Sequence, residues 1–110
     1  MQHVAFQLRI KADMIEQYDD LHRHVWPEMI ESLERMGVRE YSIFRRGQDL
    51  FLTLRCPNFD TLIAQMKQSD VDRRWQQMMA PYWEPVPGQR DDEPFAMMKE
   101  VFYMAGKQEE

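Results

Sequence analysis

Val38-Arg39-Glu40-Tyr41-Ser42-Ile43-Phe44 and Leu50-Phe51-Leu52-Thr53-Leu54-Arg55, separated by Arg45-Arg46-Gly47-Gln48-Asp49, read as two strands joined by a hairpin loop. What flanks this hairpin decides the fold. Upstream, Val4, Phe6, Leu8 and Ile10 alternate with His3, Ala5, Gln7 and Arg9, the pattern of a half-buried strand. A long helical pattern then runs from Ile15 to about Met36, with Gly37 as its stop. Downstream, Pro57-Asn58 ends the second hairpin strand and Asn58 caps a helix over Phe59 to Lys67. Ser69-Asp70-Val71-Asp72 caps a fresh helical stretch in which Trp75, Met78, Met79 and Tyr82 share a face. Pro81, Pro85 and Pro87-Gly88 break the chain into a loop through Glu93, and Phe95 to Met104 reads as a last strand. The order is β-α-β-β-α-β. This is an α+β, ferredoxin-like arrangement: a four-stranded antiparallel sheet with helices on one face.

The other face of that sheet is not polar. Phe95, Met97, Val101 and Tyr103 alternate with Ala96, Met98, Phe102 and Met104, and Leu50, Leu52 and Leu54 are opposed by Phe51 and Thr53. One layer of helices covers one side only. A second subunit packed sheet to sheet is therefore expected, giving a homodimer of the dimeric α/β-barrel type.

The chain has 110 residues, which fits a single domain, expected over 1–105 with a flexible tail at 106–110. A net charge of −5 and the lack of a basic stripe argue against a nucleic-acid or anionic-membrane partner. No apolar run approaches the ~20 residues of a membrane span. The N-terminus opens directly on a strand pattern without a secretory signal, and the one cysteine, Cys56, forms no internal disulfide. The expected location is the cytoplasm.

Within the long helical pattern, steps of four place Tyr18, His22 and Trp26 on one stripe. At about 100° per residue, His22 falls in the middle of an apolar arc between two rings, and His24 falls roughly opposite, facing water. Pro27 interrupts the pattern, so a kink or a helix restart is expected there. His22 and His24 do not converge on a helix, which argues against a metal site, and the ten methionines sit at core-like positions. Gly-rich phosphate loops, Cys-x-x-Cys pairs and activated serines are absent from the sequence. Asp19 and Asp20 read as solvated charge.

An imidazole with an ordinary pKa of about 6.5 suits general acid–base work, and His22 is the catalytic candidate. The alternative reading is a core histidine satisfied by a backbone carbonyl. Tyr18, Trp26, Trp75, Tyr82 and Trp83 bring several amphipathic rings to helical segments, as a sugar pocket would use, and Tyr41 can reach the same pocket.

Tyr18-x-x-x-His22-x-x-x-Trp26-Pro27-Glu28, Tyr41-Ser42-Ile43-Phe44, Val71-Asp72-Arg73-Arg74-Trp75 and Glu100-Val101-Phe102-Tyr103 resemble the L-rhamnose mutarotase family. The likeness runs from the first strand to the last. It implies a small dimeric ferredoxin-like protein that interconverts the α and β anomers of 6-deoxy-L-sugars without cofactor or metal. Carried onto this sequence, it implies that His22 is catalytic, that Tyr18 and Tyr41 contact a monosaccharide substrate, and that Trp75 lines the sugar site. Rhamnose-specific members have a second tryptophan where this chain has Gln76. An amide there replaces a stacking face with a donor and an acceptor. Trp83-Glu84-Pro85-Val86-Pro87-Gly88 looks more like relatives assigned to L-fucose.

Mutarotation needs one proton delivered to the ring oxygen and one removed from the anomeric hydroxyl. On this reading His22 protonates the ring oxygen, and Tyr18 or a bound water handles the anomeric hydroxyl. Two other functions fit the same architecture: a cofactor-free or haem-using oxygenase, and a non-enzymatic ligand-binding dimeric module.

Overall fold

The computed structural model describes residues 1–106. Strand β1 (Gln2–Arg9) leads through a 3-10 turn at Ala12–Met14 into helix α1 (Ile15–His22). Helix α2 (Pro27–Arg35) precedes the hairpin of β2 (Glu40–Arg46) and β3 (Asp49–Cys56). Helices α3 (Phe59–Lys67) and α4 (Asp70–Met79) follow, then a 3-10 turn at Ala80–Tyr82 and strand β4 (Ala96–Met98). All neighbouring strands are antiparallel, in the order β2-β3-β1-β4. The split βαβ arrangement expected from the hairpin and its flanks is the one observed.

Local chemistry explains the boundaries. The hairpin loop is only Gly47-Gln48, and Gly47 takes φ +59°, which a first loop position of this kind demands and an L side chain resists. The Asn58 side chain accepts from the Thr61 N–H at 2.9 Å, and Ser69 Oγ accepts from the Asp72 N–H at 3.3 Å. Both capping residues thus perform as their sequence positions suggest. At the end of α2, Val38 N–H donates to the Leu33 carbonyl and Gly37 N–H to that of Glu34, with Gly37 at φ +101°. These two bonds form a Schellman motif, and they stop the helix.

The helical pattern from Ile15 to Met36 is two helices rather than one. Pro27 is the first residue of α2, and Trp26 before it is extended at φ −55°, ψ 128°. Proline crowds the preceding residue out of the helical region, so the restart prevails over the kink. The helical phase is lost between His22 and Trp26, and the stripe computed for a continuous helix does not carry across the break.

The last strand is shorter than its apolar pattern suggested. β4 pairs Ala5 with Met98 and Gln7 with Ala96, and residues 99–106 lie outside any strand. Continuing that register would set Gln2 opposite Val101. Phe102 to Met104 therefore run past the end of β1 and have no strand of this chain to join. Phe102 is 80% exposed. Of the expected tail, residues 107–110 lie outside the described residues.

One sheet face forms the core. Phe6, Leu50, Leu52, Leu54 and Cys56, with Ile10 just beyond β1, meet Tyr18, Met29, Leu62, Trp75 and Met79 from the helices. Burial of this kind stabilises by about 25 cal/mol per Å2 of apolar surface removed from water. On the opposite face the registers align Phe44, Phe51, Gln7 and Ala96 in one row and Ser42, Thr53, Ala5 and Met98 in the next. Phe44 is 64% exposed there.

Candidate active site

α1 carries Tyr18 and His22 one turn apart. Their rings stack at 4.1 Å between centroids, inclined by 28°. His22 Nδ1 lies 2.9 Å from the Tyr18 carbonyl oxygen. A carbonyl only accepts, so Nδ1 carries the hydrogen and Nε2 is the free ring nitrogen. Tyr18 thus holds the imidazole twice, by its ring and by its backbone. Tyr18 itself is 3% exposed.

The second ring on His22 is Trp75 from α4, edge-on at 5.7 Å and 90°. The sequence pointed to Trp26 for this place. Because the helix breaks before Pro27, Trp26 instead stands behind Trp75, perpendicular at 5.1 Å, and lines neither cavity described below. Its other side faces Arg74, whose guanidinium carbon lies 5.7 Å from the ring centroid and whose nitrogens pair with Glu28 and Asp70. Trp26 is a brace in this geometry. His24 is exposed, as its position opposite His22 suggested.

Asp19 is not the solvated charge its position implied. Arg45 on β2 donates to both of its carboxylate oxygens, with Nε at 2.7 Å, and holds its carboxyl below the usual carboxylate range. This ion pair ties α1 to β2 and so fixes His22 relative to Tyr41.

Two adjoining cavities share one wall made of His22, Tyr41, Trp75 and Gln76, with Leu33 and Met66 beside them. The inner one, about 380 Å3, runs between sheet and helices and is also lined by Tyr18 and Trp83. The outer one, about 590 Å3, opens toward α2 and the start of β2. Both are of a size that takes a small molecule. Burial pushes the Tyr41 hydroxyl up to about 12, with the charge of Asp72 adding to it. Tyr41 as a residue is 38% exposed. Burial also raises the Tyr18 phenol, and Tyr41 contributes to that shift. Both phenols therefore keep their hydrogens at neutral pH and can donate them. Among the described residues no three His, Cys, Asp or Glu side chains gather to hold a metal ion, and no helix is long and apolar enough to cross a membrane.

The structure brings His22, Tyr18, Tyr41, Trp75 and Gln76 together and sets Trp26 behind them. Reasoning from the sequence missed Asp72. It is buried on α4 one turn before Gln76, and the sequence offered it only within a helix cap and a family motif, without a role of its own.

The family model described as L-rhamnose mutarotase matches residues 3–104. The chain belongs to the L-rhamnose mutarotase family. It is 31% identical over 104 residues to an L-rhamnose mutarotase of Klebsiella pneumoniae subsp. pneumoniae, covering 92% of this chain and 96% of that one. It is 37% identical over 82 residues to one from Burkholderia orbicola, covering 73% and 78% respectively. The crystal structure of an L-rhamnose mutarotase from Formosa agariphila superposes with a TM-score of 0.77 at 26% identity, covering 96% of this chain and all of that one. Tetracenomycin F2 cyclase from Streptomyces glaucescens, a type-II polyketide cyclase, shares the fold with a TM-score of 0.65 at 16% identity, covering 98% of this chain. As a mutarotase-family member the chain is an enzyme of the isomerase class, and its cavity wall is the place to seek the chemistry.

Proposed function

We propose that this mutarotase-family enzyme interconverts the α and β anomers of L-rhamnose by opening and reclosing the pyranose ring against His22. The observation that carries the reading is the Nδ1–H bond to the Tyr18 carbonyl, which leaves Nε2 as a bare acceptor on a side chain lining both cavities. Nε2 takes the proton of the anomeric hydroxyl. Tyr41, or a water it orients, gives a proton to the ring oxygen as the C1–O5 bond breaks. The open-chain aldehyde turns about C1–C2, and O5 attacks the other carbonyl face. The same two protons then return by the reverse path, so no atom is gained or lost. In this proposal His22 is the first acceptor, where the sequence reading had it protonate the ring oxygen. Tyr18 aligns the imidazole, Trp75 offers a ring for the apolar side of the sugar, and Gln76 offers an amide to a hydroxyl.

L-Fucose is the second sugar to weigh, because an amide at Gln76 recognises hydroxyl orientation rather than stacking. NMR exchange between anomers, run on both sugars with wild-type protein, tests the reading. Faster exchange of L-rhamnose is expected, faster exchange of L-fucose alone would reassign the substrate, and acceleration of neither would remove the function.

The working form is a homodimer on this reading. The rows Phe44-Phe51-Gln7-Ala96 and Ser42-Thr53-Ala5-Met98 make a sheet face that exposes Phe44 and Met98, and Val101 to Met104 leave an exposed apolar arm beyond it. The same reading places the protein in the cytoplasm, where a lone unpaired Cys56 stays reduced.

A further inference from the structure

Asp72 is 7% exposed, and its Oδ1 has no hydrogen-bond partner among the described residues. Helix capping does not account for it. The Ser69 N–H that an acid at this helix position would receive already donates to the Met66 carbonyl, and Asp70 is a second acid in the first turn. An orphaned buried acceptor opposes folding, so the fold gains nothing from keeping it. The carboxylate does have one side-chain neighbour with a use. Gln76, one turn on along the same face of α4, is its i+4 neighbour and lines both cavities beside His22 and Tyr41.

We propose that Asp72 is a positioning residue for substrate recognition: its carboxylate holds the Gln76 amide by Nε2–H, which turns Gln76 Oε1 to the cavity as an acceptor for a sugar hydroxyl. An ionised carboxylate only accepts, so it selects one of the two amide orientations. Without it the amide is free to flip and offers the sugar either group. Gln76 and Tyr41 line the same cavity wall, so an amide set by Asp72 stands on the wall that carries the phenol. This inference rests on the mutarotase reading for the identity of the ligand, a pyranose with a free hydroxyl facing α4.

The test compares wild type, Asp72→Leu, Asp72→Asn, Gln76→Leu and the double variant Asp72→Leu/Gln76→Leu. Each is measured for KM and kcat in L-rhamnose anomer exchange, and for Kd by tryptophan fluorescence on titration with L-rhamnose. Gln76→Leu and Asp72→Leu should each raise KM and Kd about tenfold, the loss of one hydrogen bond, with kcat within about threefold. The double variant should be no worse than either single one, because Asp72 acts through Gln76. Asn, which keeps an acceptor at this place, should bring Kd back toward wild type. Thermal melting of Asp72→Leu should not fall, since the orphaned acceptor is gone. Unchanged Kd in Asp72→Leu, multiplied effects in the double variant, or no recovery with Asn would each overturn the inference. Wild type that binds L-rhamnose without speeding exchange would remove the mutarotase reading alone; wild type that does not bind it would remove both.

Discussion

The imidazole of His22 and the phenol of Tyr18 stack at 4.1 Å, and the same tyrosine accepts the imidazole Nδ1–H on its carbonyl at 2.9 Å. One residue therefore sets both the tilt of the ring and its tautomer. A histidine satisfied by a backbone carbonyl is ordinarily read as structural. On the proposed mechanism that bond makes the second nitrogen a defined base, so one arrangement serves both readings.

Tyr41 supplies a hydroxyl on the cavity wall it shares with His22. Tyr41→Phe should lower kcat for anomer exchange by about 10-fold to 100-fold with a smaller effect on KM, since a water can replace the phenol as donor. The same variant carries a pH signature. The folded-state pKa of Tyr41 is raised above its ordinary 10 to about 12, so its contribution to stability is full below pH 10 and is lost as pH rises toward 12. Melting temperature measured from pH 8 to 12 should fall more steeply above pH 10 in wild type than in Tyr41→Phe. Superimposable alkaline curves would count against a buried phenol.

Trp26 acts on the site through Trp75. Trp26→Ala removes the perpendicular partner at 5.1 Å and the surface under Arg74. Because the indole is only half-buried, the expected loss is about 1–3 kcal/mol, below the range for a fully buried ring. Chemical denaturation measures it, and KM should rise a few-fold while Trp26→Phe stays near wild type. A Trp26→Ala enzyme with unaltered KM and stability would show that Trp75 needs no brace.

Gly37 occupies a place that only glycine fits well. At φ +101° a side chain is strained, and an added Cβ would lie 3.1 Å from Pro57 Cδ. Gly37→Ala should destabilise by about 1–2 kcal/mol or more. Gly106→Ala, where a Cβ would meet nothing within 4 Å, should be neutral. Equal urea midpoints for the two variants would contradict this.

The outer sheet face gives the oligomer prediction. Light scattering after size exclusion should return twice the chain mass for wild type, and Phe44→Glu should shift it to the monomer by placing a charge on the apolar row. A wild-type monomer would refute the dimer.

Much of this was legible in the sequence where the signal is local. Gly47, Asn58, Ser69 and Gly37 each announce a turn, a cap or a stop through their own backbone chemistry, and the hairpin between two helical stretches set the topology. What was not legible depends on phase and on partners. Pro27 marked a break but not which way the chain resumes, so Trp26 was assigned to His22 when Trp75, far along the chain, takes that place. The apolar run from Phe95 to Met104 predicted a strand as long as its pattern. β1 ends at Gln2, and a strand extends only as far as its neighbour. Asp72 was hidden for a similar reason. Its proposed role depends on a glutamine one turn on and a cavity assembled from several other elements.

The central claim is that His22 Nε2 exchanges the anomeric proton, and substitution at His22 tests it most directly. Anomer exchange of L-rhamnose, followed by NMR at equal protein concentration, should fall by about 10²-fold to 10⁴-fold in His22→Gln, with the circular dichroism spectrum of wild type retained. Exchange in His22→Gln as fast as in wild type, by folded protein, would contradict the account.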